Sequence, residues 1–225
     1  KKSLIFTLLL SSSVFAEQST IDSIEIAAMT LNSEQLVELV NSNQGYDQAL
    51  AHYRLAITKN LAADTNGALA SLNLAMEELE QLTERLPNND EAWALLAQVY
   101  GFKISFEPVK GTYYGPKSGM ALRKAKALNP NNPRVYLVQG ISDFNTPTLF
   151  GGSKSGAIKA LDKAITLFEQ DKNSGNHWGE AEAYVWRGLS HLEQGQDTAA
   201  LADWQSAIDI APEYGWPRML KQKNQ

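Results

Sequence analysis

The sequence predicts an all-α protein built from about four antiparallel helix pairs. Three observations point there. Apolar residues recur at helical spacing over most of the chain: Leu50, Tyr53, Ile57 and Leu61; then Leu69, Leu72, Met76 and Leu79; then Leu189 and Leu192. Breakers stand where helices should stop, at Leu86-Pro87-Asn88-Asn89, Asn129-Pro130-Asn131-Asn132-Pro133 and Ala211-Pro212. No stretch shows the sustained alternation of β-branched residues that a sheet needs, and runs such as Ala68 to Leu86 are rich in strong helix formers.

Composition narrows the function classes. Of 225 residues 44% are apolar and 20% charged, with only 15 glycines and 8 prolines, which excludes a disordered or fibrous chain. With no cysteine there is no disulfide framework, no thiolate metal site and no thiol nucleophile. A net charge of −5 argues against nucleic acid as a partner.

Residues 1–16 have the pattern of a cleavable secretory signal. Lys1 and Lys2 start it, an apolar run from Leu4 to Leu10 follows, and small residues around Val14-Phe15-Ala16 precede Glu17. The run is too short to cross a bilayer of about 30 Å, and no later stretch is apolar enough to insert in a membrane. Cleavage after Ala16 leaves residues 17–225 and a net charge of −7, the two lysines having gone. The lack of cysteine suits an oxidising compartment, so the chain is expected in the bacterial periplasm or secreted. Residues 17–48 form an N-terminal segment with a capping helix, for which Ser33 is the expected N-cap. Residues 49–214 form the repeat domain, and 215–225 a polar tail closing its far end.

Within 49–214 a pattern recurs. A bulky residue is followed three places later by alanine and then by an apolar residue: Leu72, Ala75, Leu79; Leu122, Ala125, Leu128; Leu161, Ala164, Leu167; Trp204, Ala207, Ile210. A helix with a small residue at its middle precedes each, at Ala56, Ala97, Gly140 and Gly188, and Trp93, Tyr136 and Tyr184 lie four places ahead of the last three. The small residue lets the two helices of a pair approach closely, and the bulky one fills the space beside it.

At these residues the sequence resembles the tetratricopeptide repeat (TPR) family. Tyr184, Gly188, Ala200, Trp204, Ala207 and Pro212 match its spacing without a gap, as do Ala56, Ala68, Leu72 and Ala75. The two middle repeats depart from it. The small residue and the alanine are 19 apart in the outer repeats, but 28 apart in the second and 24 in the third. Insertions of nine and five residues are therefore expected as enlarged loops between paired helices. The resemblance implies a right-handed superhelical solenoid whose concave groove is lined by first helices, here at Tyr53, Ile57, Gln98, Leu137, Ile141, Phe144, Val185 and Leu189. That largely apolar lining suits an amphipathic helix or extended apolar segment of a partner, or one of the chain's own ends folded back. The Lys and Asn residues with which related domains clamp a terminal carboxylate have no counterpart at these positions.

The two inserted segments, Gly101 to Gly119 and Asn145 to Gly156, are expected side by side on one edge. They hold Phe102, Phe106, Tyr113, Tyr114 and Phe150, which either pack on each other or anchor a partner. Leu149-Phe150-Gly151-Gly152 is similar to a loop of exported bacterial TPR proteins, some of them associated with periplasmic uptake. Gly111 to Ser118 is not a phosphate loop, because three rather than four residues separate its glycines and Pro116 removes a backbone donor. Gly151 to Gly156 reads as a helix cap with flexible glycines. His52, His177 and His191 lack metal-site spacing, there is no Gly-x-Ser-x-Gly elbow, and Glu77, Glu78, Glu80 and Glu84 form a solvated acidic face. The sequence thus points to a non-catalytic periplasmic scaffold that binds another protein or peptide, with neither cofactor nor metal. The alternative is a small-molecule-binding accessory of an uptake system, in which Lys117, Asn145 and Lys154 converge on a ligand under the loops.

Overall fold

A computed structural model describes residues 18–171 and 175–225; the expected leader lies outside them. Eleven helices follow one another among the described residues, with no strand: α1 (Gln18–Met29), α2 (Ser33–Ser42), α3 (Gly45–Leu61), α4 (Thr65–Arg85), α5 (Asp90–Phe106), α6 (Gly111–Leu128), α7 (Pro133–Asn145), α8 (Lys154–Phe168), α9 (Glu180–Leu192), α10 (Asp197–Ile210) and α11 (Gly215–Lys223). Short 3-10 turns at Pro108–Lys110 and Thr148–Phe150 join α5 to α6 and α7 to α8.

Local chemistry sets the helix ends. Asp64, Asn89 and Ser153 each accept a hydrogen bond from the backbone N–H three residues on, and Asn132 accepts one from Arg134 just before Pro133 opens α7. At α2 the cap is Asn32, which accepts from the Gln35 N–H at 3.1 Å; Ser33 is the first helical residue instead. The segment expected as a polar tail forms α11, and α1 adds a helix ahead of the capping helix.

Helices pair as α3–α4, α5–α6, α7–α8 and α9–α10, the four pairs that the recurring small and bulky residues mark out, and they stack as a helical solenoid. The crossings are tight. A β-carbon on Gly188 would lie 2.5 Å from Trp204 Nε1, and one on Gly140 would lie 2.4 Å from Leu161 Cγ. Ala56, Ala97, Leu72, Leu161 and Trp204 are buried with them. Each of these sites joins one pair internally, and the second helix of a pair then packs on the first helix of the next.

The two insertions are accommodated differently. In the second repeat the extra residues lengthen the helices: α5 runs nine residues past Ala97, whereas α3 and α7 run five past Ala56 and Gly140. Helix α6 likewise begins fourteen residues before Ala125, against ten before the matching alanine in α4, α8 and α10. Four residues at about 1.5 Å each carry this hairpin about 6 Å beyond its neighbours. The expected loop at 101–119 is therefore helix on both sides of a short turn at 107–110, with Pro116 inside α6. In the third repeat α7 and α8 keep their ordinary lengths, and the insertion is a true loop over 146–153. Gly151 turns it at φ 93°, and a β-carbon on Gly152 would sit 1.7 Å from the Thr146 carbonyl oxygen.

Replacing Gly188 by leucine forces a side chain into the Trp204 indole. The expected cost is roughly 1–3 kcal/mol or more, read as a lower melting temperature; a variant melting with the parent would contradict the close crossing.

Candidate functional site

The concave face is where the family resemblance locates binding, and its lining residues do come together. They come together around the chain's own ends. Tyr53, Leu137, Ile141 and Val185 are buried, and Ile57, Gln98, Phe144 and Leu189 are half-buried. Helix α1 lies in this lumen with Ile21, Ile24 and Ala27 fully buried. Met29 from α1 and Tyr214, Trp216 and Leu220 from the C-terminal segment pack around Val185 and Leu189. Phe144 meets Trp186 at 5.3 Å between ring centres, and Trp186 meets Trp216 at 5.4 Å. The open apolar groove is thus replaced by an interior: of the two outcomes the sequence left open, the chain's own helices fill it.

Charge explains why α1 is there. Arg54 sits on the apolar stripe of α3 and is buried in the lumen. Its guanidinium grips Glu25 of α1 through two bonds of 2.7 and 2.9 Å and Glu182 of α9 through one of 3.0 Å, and it lies 5.2 Å from the Trp178 ring. Burial alone would push Arg54 down, but the carboxylates of Glu25 and Glu182 hold it above the ordinary arginine range. The Glu25 carboxyl is raised by the same burial, against the pull of Arg54. Trp178 Nε1 donates to the Tyr46 hydroxyl at 2.8 Å, and Gln98 donates to the Tyr53 hydroxyl at 2.9 Å, so α3, α5 and the approach to α9 meet across the lumen. A second buried cation, Arg134, joins Glu91 at 2.6 Å to Asp171 at 2.6 Å and ties the middle repeats together. Neither arginine is singled out by a motif; the one signal for Arg54 is its place amid Leu50, Tyr53 and Ile57.

The aromatic residues of the two inserted segments do not form a single cluster. Phe102 packs edge-on against Tyr53 at 6.1 Å and against Phe106 at 5.1 Å. Tyr114 is buried beside Tyr100, and Tyr113 is exposed with the Lys117 ammonium 5.0 Å from its ring. Phe150 stands out at 76% exposed, with Leu149 beside it at 89% and Val109, at the tip of the long α5–α6 hairpin, at 95%. Motif reasoning missed Val109 and named Leu149 only as part of a loop. Both occupy the 3-10 turns between paired helices, and such turns share one edge of a solenoid. Leu61, at the corresponding turn of the first pair, is exposed as well.

The polar groups considered for a small ligand are engaged elsewhere. Lys117 bonds Glu80 at 3.0 Å, Asn145 donates to the Ile141 carbonyl at 2.8 Å, and Lys154 donates to the Phe144 carbonyl at 2.7 Å. Glu80, read as part of a solvated face, also accepts from the Tyr100 hydroxyl. A cleft of about 440 Å³ opens beside the α1 N-terminus, lined by Gln18, Asp22, Phe168, Glu169, His177 and Glu180. There the Gln18 carboxamide bonds both the N–H and the carbonyl of His177. The His177 imidazole is held up at about 9 by Asp171 first and Glu180 next, at 3.6 and 3.4 Å. Among the described residues no three His, Asp or Glu side chains are placed to hold a metal ion, and no helix is long and apolar enough to cross a membrane.

Comparison with solved structures gives the fold a name. The chain superposes on TTC0263, a thermophilic TPR protein of Thermus thermophilus, with a TM-score of 0.56 and 20% identity over 85% of this chain and 88% of that one. It superposes on the HusA haemophore of Porphyromonas gingivalis with a TM-score of 0.54 and 23% identity over 78% of this chain and 91% of that one. The architecture is that of the TPR solenoids, and at these identities it is the fold that is shared. No protein-family model and no curated protein matches the sequence.

Arg54→Ala leaves two buried carboxylates facing each other, and its expected cost is about 3–5 kcal/mol of stability in a denaturant titration. A small change would mean that α1 is not held by this charge. For His177 the folded value is raised above the ordinary 6.5, so its contribution is complete below about 6.5 and is lost as pH rises through about 9. The parent should lose stability over that window, and His177→Gln should lose less; parallel curves would remove His177 from the account.

Proposed function

We propose that this chain is a non-catalytic scaffold of the bacterial periplasm that binds another protein along its rim rather than in its groove. The observation that carries this reading is the contrast in burial. The concave face is spent on α1, Tyr214 and Trp216, whereas Val109, Leu149 and Phe150 project apolar side chains from short turns on one edge. Large apolar groups at the tips of short, helix-anchored turns lose little conformational freedom when a partner covers them, and a few such residues supply most of the binding energy of an interface. Projecting side chains of this kind fit an apolar pocket on the partner. The TPR fold supports the scaffold role, and the pattern of residues 1–16 supports export.

The small-molecule alternative calls for Lys117, Asn145 and Lys154 to converge. Each is held by a different neighbour, and likeness to a haemophore in fold does not change that.

The test is crosslinking and capture from the periplasmic fraction, where the mature chain is expected to begin at Glu17. Val109→Asp combined with Phe150→Asp should reduce recovery of the partner about tenfold or more and leave helical content unchanged, as both residues are exposed. Recovery equal to the parent would overturn the rim reading, and absence of the chain from that fraction would overturn the location.

A further inference from the structure

The reversal of the chain between α1 and α2 rests on one residue. Residues 18–44 contain neither glycine nor proline. The turn is made by Leu31 at φ 55°, with the Asn32 N–H on the Ala27 carbonyl at 2.8 Å and the Leu31 N–H on the Ala28 carbonyl at 3.1 Å. Glycine usually fills this left-handed helix stop, and a leucine there is strained. Among the described residues one other side chain has a positive φ, Ala63 at 61°, and it joins α3 to α4, a pair packed along its length. Helix α1 touches α2 far less. Its anchors lie elsewhere: Ile21, Ile24 and Ala27 in the lumen, Glu25 on Arg54, and Gln18 on His177.

None of these anchors requires α1 to belong to the same chain. With Leu31 in the right-handed region, α1 and α2 run on as one helix of roughly 25 residues, about 37 Å long, and α1 leaves its own lumen. The lumen left behind holds an apolar wall and the Arg54 guanidinium. It fits a helix with two isoleucines and a glutamate at the spacing of Ile21, Ile24 and Glu25, which is the α1 of a second copy. Ile26, Leu31 and Val37, exposed at 51%, 52% and 41%, surround the hinge, where a second hinge would cover them.

We propose that two copies of this chain exchange α1, each seating Ile21, Ile24 and Glu25 in the other's lumen, to form a closed twofold dimer. The contacts of α1 are the same in monomer and dimer. Relief of Leu31 and burial of the apolar hinge favour the dimer, against the freedom lost on association. Residues 18–44 carry Asp22, Glu25, Glu34 and Glu38 and no basic side chain, so like charges meet at the hinges and salt favours exchange.

Sedimentation of the full chain, equilibrated at roughly 10 μM to 1 mM, tests this. The mass should rise to a plateau at the dimer, with more dimer at about 0.5 M salt than at about 0.05 M. Leu31→Gly relaxes the closed turn and should raise the dimer Kd about fivefold per hinge, or about 25-fold for the two. Leu31→Ile should lower it, because a β-branched residue tolerates a positive φ least. Glu25→Arg and Arg54→Glu each spoil the pairing in their own chain. An equimolar mixture of them should dimerise beyond either alone, because exchange seats the intact Glu25 of one on the intact Arg54 of the other. A parent monomeric at 1 mM, growth past the dimer, Leu31→Gly dimerising as the parent does, or a mixture no different from its components would each overturn the proposal.

Discussion

A guanidinium placed among apolar side chains cannot be left without a counter-charge, and much of this molecule is arranged around that constraint. Arg54 enters the lumen on the same face of α3 as Leu50, Tyr53 and Ile57. Its fork is met by Glu25, which brings α1 across the concave surface, and its remaining N–H by Glu182, which brings α9 to it from the far end of the repeat array. Paired and hydrogen-bonded, the charge is tolerated; with either carboxylate gone the burial would be costly. Arg134 repeats the solution between the second and third repeats with Glu91 and Asp171.

The filled lumen moves the accessible surface elsewhere. Successive pairs are held together by small-against-large contacts, so the four repeats leave their intra-repeat turns on one edge, where length can vary without disturbing the core. Eight of the nine extra residues in the second repeat lengthened its helices and five entered the third as loop, and both tips carry exposed apolar residues. Helix extension costs little when the added residues continue the pattern of the helix. Ile104 and Phe106 pack back on the core, and Pro116 stands inside α6, giving up the backbone bond its N–H would have made to the Thr112 carbonyl.

The helix pairs were legible because their determinants are local. Gly188 four residues after Tyr184, Trp204 four after Ala200, and asparagine before each of α5 and α7 encode crossing, filling and capping within short stretches. The insertions misled for an equally physical reason: extra residues between paired helices were expected as loop, yet in the second repeat they continue α5 and α6, with Pro116 held inside the helix. Exposure was the least legible property. Phe102, Tyr114 and Phe150 look equivalent as aromatics in inserted segments, but the first two meet Tyr53 and Tyr100 from other stretches of chain, and Phe150 does not meet a comparable neighbour at the loop tip.

Periodicity, breakers and the alternation of small with bulky side chains were sufficient for the all-α class, the count of pairs and the residues at each crossing, since those depend on neighbours within about forty positions. Whether the concave wall would face solvent depended on contacts between Glu25, Arg54 and Glu182, which span the whole repeat array. Such pairings follow from the curvature accumulated over four stacked repeats. No short stretch of residues contains that curvature, and it came into view once the chain was folded.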